Sequence, residues 1–181
     1  MAAEGASWAD EVRNYWFSLR PQQWWRDASL DAVIAERFGP LWEEKRQLPA
    51  ASFLGSPGEA LAGVLLFDQF PRNMFRDHAD QFSTDMLAIA IARGAVERGH
   101  DEALSPEERG FLYMPFQHSE DPADQQRSLL LFGSLGDAEQ LRFARLHHAI
   151  IERFGRFPHR NAILGRTPRP DELAAGDVVP W

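Results

Sequence analysis

The chain contains no cysteine among its 181 residues, and this absence removes two kinds of chemistry. Disulfide bonds cannot form, and no thiolate is available as a nucleophile or as a metal ligand. Long apolar runs are also lacking. The longest, residues 60–67 ("ALAGVLLF"), is much shorter than the roughly 20 residues that a helix needs to cross a bilayer. The sequence therefore predicts a protein that does not enter a membrane.

Basic residues are scarce as well. The chain has 19 lysines and arginines against 27 aspartates and glutamates, which gives a net charge of -8. A general nucleic-acid binder carries an excess of cations on a broad face, so we expect no nucleic-acid partner. The N-terminal stretch "MAAEGASWADEVRNYW" has early acidic residues and no apolar core, unlike a secretory signal. We therefore expect a cytoplasmic protein.

Strand patterns are missing too, whereas signals for the beginning of a helix recur along the chain. No convincing run of alternating β-branched residues bounded by hairpin turns is present. Residues suited to an N-cap precede apolar helical patterns at Ser7, Ser56, Ser105, Asp121 and Asp137. The pattern predicts an all-α fold, a compact array of seven to nine helices in antiparallel pairs. The length predicts one domain over residues 1–181.

Glycines and prolines predict where these helices end. Gly99 and Gly155 follow two of the longest helical patterns, as glycine does in a left-handed C-terminal cap. Proline removes a backbone donor and restricts the residue before it. We therefore expect helices to break at Pro40, Pro71 and Pro115.

Three polar stretches resist a purely structural explanation, and the first is residues 68–76 ("DQFPRNMFR"). Asp68, Gln69, Arg72 and Asn73 follow directly on an apolar helix. Polar groups in that position must face water or find partners, because burying them unpaired is costly. Either Arg72 and Arg76 bond the last carbonyls of the helix, or these polar side chains belong to a site.

The second stretch is residues 114–121 ("MPFQHSED"). Asp121 is explained as the N-cap of the next helix. His118, Ser119 and Glu120 place an imidazole, a hydroxyl and a carboxylate in succession. Such a triplet could serve acid–base chemistry or bind a metal, although it also arises by chance.

The third stretch is residues 153–166 ("RFGRFPHRNAILGR"). Arg156, His159, Arg160 and Asn161 follow the helix end in an irregular loop, and a helix end needs one such group rather than four. The cations predict either distant carboxylates or an anionic ligand. His147, on the apolar face of the preceding helix, is expected to point inward as a core residue or as part of a site.

Together, residues 65–76 ("LLFDQFPRNMFR"), 111–128 ("FLYMPFQHSEDPADQQRS") and 153–166 resemble the bacterial family Domain of Unknown Function 924. The resemblance covers roughly residues 8–175 and departs from the family pattern at residues 45–59 and 167–172. It implies an all-α fold similar to tetratricopeptide-repeat arrays and leaves the function unassigned. It also implies that the family's recurring polar positions are those matched here by Asp68, Gln69, Arg72, Asn73, His118, Ser119, Glu120, Asp121, His147, Arg156, His159, Arg160 and Asn161.

The leading hypothesis is a polar pocket, formed by the three motifs, that binds a small anionic molecule. His118, Glu120 and His147 would transfer protons, in a hydrolysis or lyase-type step if there is chemistry. We expect Arg72, His118 and Arg160 to lie within about one pocket width of each other, with their side chains facing a shared cavity. The predicted ligand-binding residues are Asp68, Gln69, Arg72, Asn73, Ser119, Arg156, His159, Arg160 and Asn161.

Three other hypotheses remain open. The fold could present an arginine-rich groove to an acidic peptide, as tetratricopeptide arrays do. A metalloenzyme would use His118, Glu120, His147 and Asp68, but no pair has tight metal-ligand spacing, so we expect neither a metal nor another cofactor. Finally, the motifs could form only a buried ion-pair core, with Asp68 paired to Arg160 and Glu120 to Arg72.

Overall fold

The computed structural model describes residues 7–24 and 27–181, and the regular elements of this part of the chain are all helical. A π-helical turn, Leu65–Gln69, joins α3 to α4, so the nine α-helical segments form eight consecutive helices. The all-α prediction and the predicted number of helices are confirmed. The segments are α1 (Trp8–Ser18), α2 (Asp31–Lys45), α3 (Pro57–Val64), α4 (Phe70–Met74), α5 (Asp85–Glu97), α6 (Pro106–His118), α7 (Pro122–Ser134), α8 (Ala138–Phe154) and α9 (Pro170–Ala175).

Local capping signals begin and end these helices as the sequence predicts. Ser7 and Ser105 each form a reciprocal capping box with the acidic residue three positions later. Asp137 accepts from two backbone N–H groups in the first turn of α8. Gly155 ends α8 with φ 69°, in the left-handed region where glycine has no steric penalty.

The predicted breaks at prolines are wrong. Pro40 lies inside α2 and Pro115 inside α6, and both helices continue for at least three further residues. A proline already has the helical φ, so it costs one hydrogen bond and a local distortion. Burial of the apolar side chains before and after the proline offsets that cost. In α2, for example, Phe38 and Trp42 are both buried around Pro40.

At Pro71 the chain stays helical because the backbone hydrogen bonds just before it span five residues instead of four, as in a π-helix. The N–H of Phe70 donates to the carbonyl of Leu65, five residues earlier. The Phe67 carbonyl, four residues before the proline, accepts instead from Thr84 Oγ1 at 2.7 Å. The same hydroxyl accepts from Trp42 Nε1 at 3.2 Å. A side chain from the start of α5 thus replaces the donor that proline lacks.

We expect Thr84→Val to lower the free energy of unfolding by about 1–2 kcal/mol, since it leaves two buried polar groups without partners. The groups are the Phe67 carbonyl and the Trp42 indole N–H. Thr84→Ser keeps the hydroxyl and serves as the control. Urea denaturation of the two variants measures the difference, and equal stability would contradict the role given to the hydroxyl.

Two apolar clusters flank the polar motifs. The larger includes the buried faces of α1–α3 and α5–α7 and the apolar residues of the π-turn. The smaller contains Ile150, Ile151, Phe154 and Phe157, with Ala175 and Val178 packed against it. None of the helices in the described ranges is long and apolar enough to span a bilayer.

Candidate functional site

The three motifs meet where the π-turn, the end of α6 and the loop after α8 come together. Arg72 forms a two-pronged ion pair with Asp85, at 2.9 and 3.0 Å. Arg160 Nη2 donates to the carbonyl of His118 at 3.0 Å, and its Nη1 lies 3.8 Å from Asp85 Oδ2. The predicted proximity of Arg72, His118 and Arg160 is therefore found.

Asp68 holds His118 in one orientation. Both carboxylate oxygens lie within hydrogen-bond distance of His118 Nδ1, at 2.8 and 3.0 Å, and Gln69 Nε2 donates to Oδ2 at 2.6 Å. Asp68 is fully buried, which raises the pKa of its carboxyl, but the charges of Arg72 and His118 outweigh burial and hold the pKa well below its usual range. The carboxylate therefore stays ionised and accepts the N–H of His118 Nδ1, which fixes the orientation of the ring.

His147 on α8 is a second imidazole with a fixed tautomer. Its Nδ1 donates to the carbonyl of Phe143 at 2.8 Å, and its ring centroid lies 6.1 Å from that of His118. Burial, with the nearby charge of His118, lowers the pKa of His147 to about 3. His147 is therefore neutral at physiological pH, and it points inward as the sequence predicts.

Arg160 is a buried cation with few hydrogen-bond acceptors. Its guanidinium carbon lies 4.6 Å from the ring centroids of both Phe82 and Phe157. Nε is buried and has no partner among the described residues. Burial, followed by repulsion from Arg72, lowers the pKa of Arg160 to about 10.

His159 lies beside Arg160, and its ring packs against Phe157 and Trp181. Nδ1 of His159 is buried without a hydrogen-bond partner in the described ranges. Burial, together with the charge of Arg160, lowers the pKa of His159 to about 4. We call His118, His147, His159 and Arg160 the histidine–arginine cluster.

Other predicted site residues are engaged in a separate ion-pair network, which we call the C-terminal network. Its members are Glu120, Arg156, Asn161, Arg166 and Glu172. Glu120 accepts from Arg166 at 2.8 Å and from the Phe157 backbone N–H at 2.7 Å. Arg156 donates to Glu172 at 2.6 Å. The network fastens the loop after α8 to the ends of α6 and α9.

The two specific pairs expected for an ion-pair core are therefore wrong. Glu120 pairs with Arg166 rather than Arg72, whose partner is Asp85. Asp68 pairs with His118 and Arg72, and the carboxylate nearest to Arg160 is that of Asp85. The cause is tertiary: α5 inserts its first turn, with Asp85, between the two arginines.

Asn73 and Ser119 also have partners that account for them without a ligand. Asn73 Nδ2 donates to Asp31 at 3.0 Å, and Arg76 binds the same carboxylate. Ser119 Oγ donates to Asp124 at 2.6 Å. These contacts fasten α4 to α2 and the end of α6 to α7.

Sequence reasoning missed Asp85, Phe82, Phe157, Arg166 and Glu172. Asp85 has an ordinary explanation as an acidic residue in the first turn of a helix, so nothing local marks it. Arg166 and Phe157 lie inside the third motif, and the surplus of cations there was the available signal. Glu172 lies where the sequence departs from the family pattern.

Two hollows stand out in the described part of the chain, and neither is lined by a member of the histidine–arginine cluster. One, of about 300 Å³, is lined by α8 and residues 177–179. A second, of about 90 Å³, lies between the start of α7 and α8. Within residues 7–24 and 27–181, no group of three or more histidine or acidic side chains is arranged to hold a metal ion.

Comparison with known proteins identifies the family but no activity. The profile of DUF924, "bacterial protein of unknown function", matches residues 12–175. The solved structure of ATU0120, a protein of unknown function from Agrobacterium tumefaciens, is similar to this chain with 40% sequence identity and a TM-score of 0.85. The match covers 92% of this chain and 95% of that one. No curated protein matches. The chain therefore belongs to the bacterial family DUF924.

Proposed function

We propose that the chain binds a small anionic molecule at the histidine–arginine cluster and that His118 accepts a proton from it. One observation carries the proposal. Among the predicted site residues of the described ranges, Arg160 and His159 are the two with a buried side-chain atom, Nε and Nδ1, that lacks a partner, although Gln125 Oε1 and Ser128 Oγ in the second motif lack one as well. Buried polar groups in folded proteins are almost always hydrogen-bonded, so each exception needs an explanation, and a ligand is one.

Charge around Arg160 favours an anion. Asp85 is held by Arg72 at hydrogen-bond distance, and Asp68 by His118. Arg160 has no carboxylate that close among the described residues, since its ion-pair contact, Asp85 Oδ2, lies 3.8 Å from Nη1. A guanidinium offers five donors in a planar fork, which suits the two oxygens of a carboxylate or phosphate. An incoming anion therefore supplies the acceptors that Arg160 lacks.

The Asp68–His118 pair supports a role in proton transfer. A buried carboxylate on Nδ1 sets the imidazole tautomer and stabilises the imidazolium that forms when Nε2 takes a proton. Nε2 of His118 has no hydrogen-bond partner among the described residues. Such a base fits a hydrolytic or a lyase-type step. Glu120 is not needed for this role, because Arg166 and the backbone of Phe157 occupy its oxygens.

A ligand must open its own space in this region. His147 and Arg160 are each less than a tenth exposed. The loop that carries Arg160 is fastened by the C-terminal network, whose partners lie outside the cluster. We therefore expect binding to move side chains of the cluster while the loop stays attached.

Isothermal titration against small carboxylates and inorganic phosphate tests the proposal. We expect at least one of them to bind the wild type, and Arg160→Met to weaken that binding by about tenfold or more, since it removes a charge-assisted hydrogen bond. Arg153→Met is the matched control. Arg153 also lies over an aromatic ring, 4.7 Å from Phe154, but on the exposed face of α8. Failure of every anion to bind the folded wild type would contradict the proposal.

The alternatives explain less. The hollow beside α8 is lined mainly by apolar side chains, with Arg153 as its one arginine, and so does not match an arginine-rich groove for an acidic peptide. An ion-pair core accounts for the C-terminal network and for Asp68, Arg72 and Asp85. It leaves the unpartnered atoms of Arg160 and His159 unexplained.

A further inference from the structure

We propose that the preferred ligand of the histidine–arginine cluster is a small carboxylate that carries a hydroxyl group. The inference rests on the proposed anion binding and adds the chemical class of the ligand. It follows from the hydrogen-bonding character of the two imidazoles beside Arg160, His118 and His147.

Nε2 carries the lone pair in His147, and it does so in His118 whenever that ring is neutral. Nδ1 of His147 faces the Phe143 carbonyl, which can only accept, so this nitrogen must carry the proton. Nδ1 of His118 faces the ionised carboxylate of Asp68, and the same reasoning applies. The other nitrogen of a neutral imidazole is an acceptor. The two tautomers are therefore set by the protein.

No donor in the described part of the chain reaches either Nε2 atom. The rings lie 6.1 Å apart, centroid to centroid, so the two imidazoles are direct neighbours. Because His147 is buried, its neutral form is favoured and its lone pair stays available at physiological pH. The group that fits between such acceptors is a hydrogen-bond donor.

The hydrogen-bond donor of the cluster is Arg160. Arg160 donates to the backbone carbonyl of His118, and its guanidinium lies over the ring of Phe157, which also packs against His147. A complementary ligand offers two oxygens to Arg160 and one O–H to the imidazoles. A hydroxyl suits this place better than an ammonium, because Arg72 and Arg160 both repel a second cation and the nearby carboxylates already have partners.

Titration of acetate and glycolate tests the inference, since the two carboxylates differ only by a hydroxyl. We expect the wild type to bind glycolate about tenfold more tightly than acetate, the effect of one buried hydrogen bond. His147→Phe keeps a ring of similar shape without the nitrogen, and we expect the preference to fall to about twofold or less. His148→Phe, at the neighbouring position, should retain the full preference.

The outcomes separate the two proposals. Equal affinities for acetate and glycolate in the wild type would overturn the inference and leave anion binding intact. Binding of neither, while other anions bind, would overturn the inference as well. Absence of binding by every anion would overturn both. The wild-type comparison needs no variant to fold.

Discussion

Replacement of Asp68 by alanine is expected to lower the free energy of unfolding by about 3–5 kcal/mol. Asp68 is fully buried, and its carboxylate contacts the side chains of His118, Gln69 and Arg72. Alanine leaves Nδ1 of His118 without its acceptor and removes one of the two carboxylates that Arg72 contacts, the other being Asp85. Removing one member of a buried ion pair costs more than the pair itself contributes, because the remaining charge stays desolvated. Urea denaturation at pH 7 measures the change.

Arg160→Met is the matched comparison for this experiment. It removes a charge from the same region, yet it strands no carboxylate, since Asp85 keeps its two-pronged pair with Arg72. Methionine also retains apolar contact with Phe82 and Phe157. We therefore expect its free energy of unfolding to stay within about 1 kcal/mol of the wild type. A loss as large as that of Asp68→Ala would contradict the ligand-binding role of Arg160 and favour a structural one.

Acidification from pH 7 to pH 5 is expected to cost the wild type about 2 kcal/mol of stability through His147 alone. Folding lowers the pKa of His147 from 6.5 to about 3. Between these values the unfolded chain binds a proton that the folded chain excludes, so stability is lost as pH falls below 6.5. His159, whose pKa is lowered to about 4, acts in the same direction. Asp68 does not contribute in this window, because its pKa lies lower in both states.

Urea denaturation at pH 5, 6 and 7 tests this prediction. His147→Phe should lose less stability on acidification than the wild type, since phenylalanine does not titrate. His148→Phe controls for removing an imidazole from the same helix at a position that is not fully buried. The same pH dependence in the wild type and His147→Phe would show that burial of His147 does not carry the effect.

Features that depend on neighbours in the sequence were predictable. Ser7, Ser105 and Asp137 cap helices by bonding backbone groups two or three residues away, and Gly155 ends α8 through its own φ. Both the donor and the acceptor lie in one short stretch, so the spacing of residue types decides the outcome. The positions of polar residues at the ends of motifs, and hence the candidates for a site, could be read in the same way.

The effect of each proline on its helix and the partner of each charged residue could not be predicted from nearby sequence. Whether the chain remains helical at Pro71 depends on the hydroxyl of Thr84, which lies 17 residues from the carbonyl it serves. Likewise, the partner of Arg72 was unpredictable because Asp85 looks like any acidic residue at a helix start. The stabilisation from packing is spread over whole helix faces, and it offsets the local cost of a proline. Because the packed residues are distant in the chain, a short stretch of sequence does not reveal this stabilisation.

The sequence by itself determined the all-α class, most helix starts and the polar residues from which a site could be built. The tertiary structure alone decided their roles. It assigned Glu120, Arg156 and Asn161 to the C-terminal network and brought His118, His147 and Arg160 together. The physical reason is that a charged side chain pairs with an oppositely charged or hydrogen-bonding group that lies near it in space. Folding brings together helix ends that are distant in the chain, so the choice of partner is made only when the helices pack.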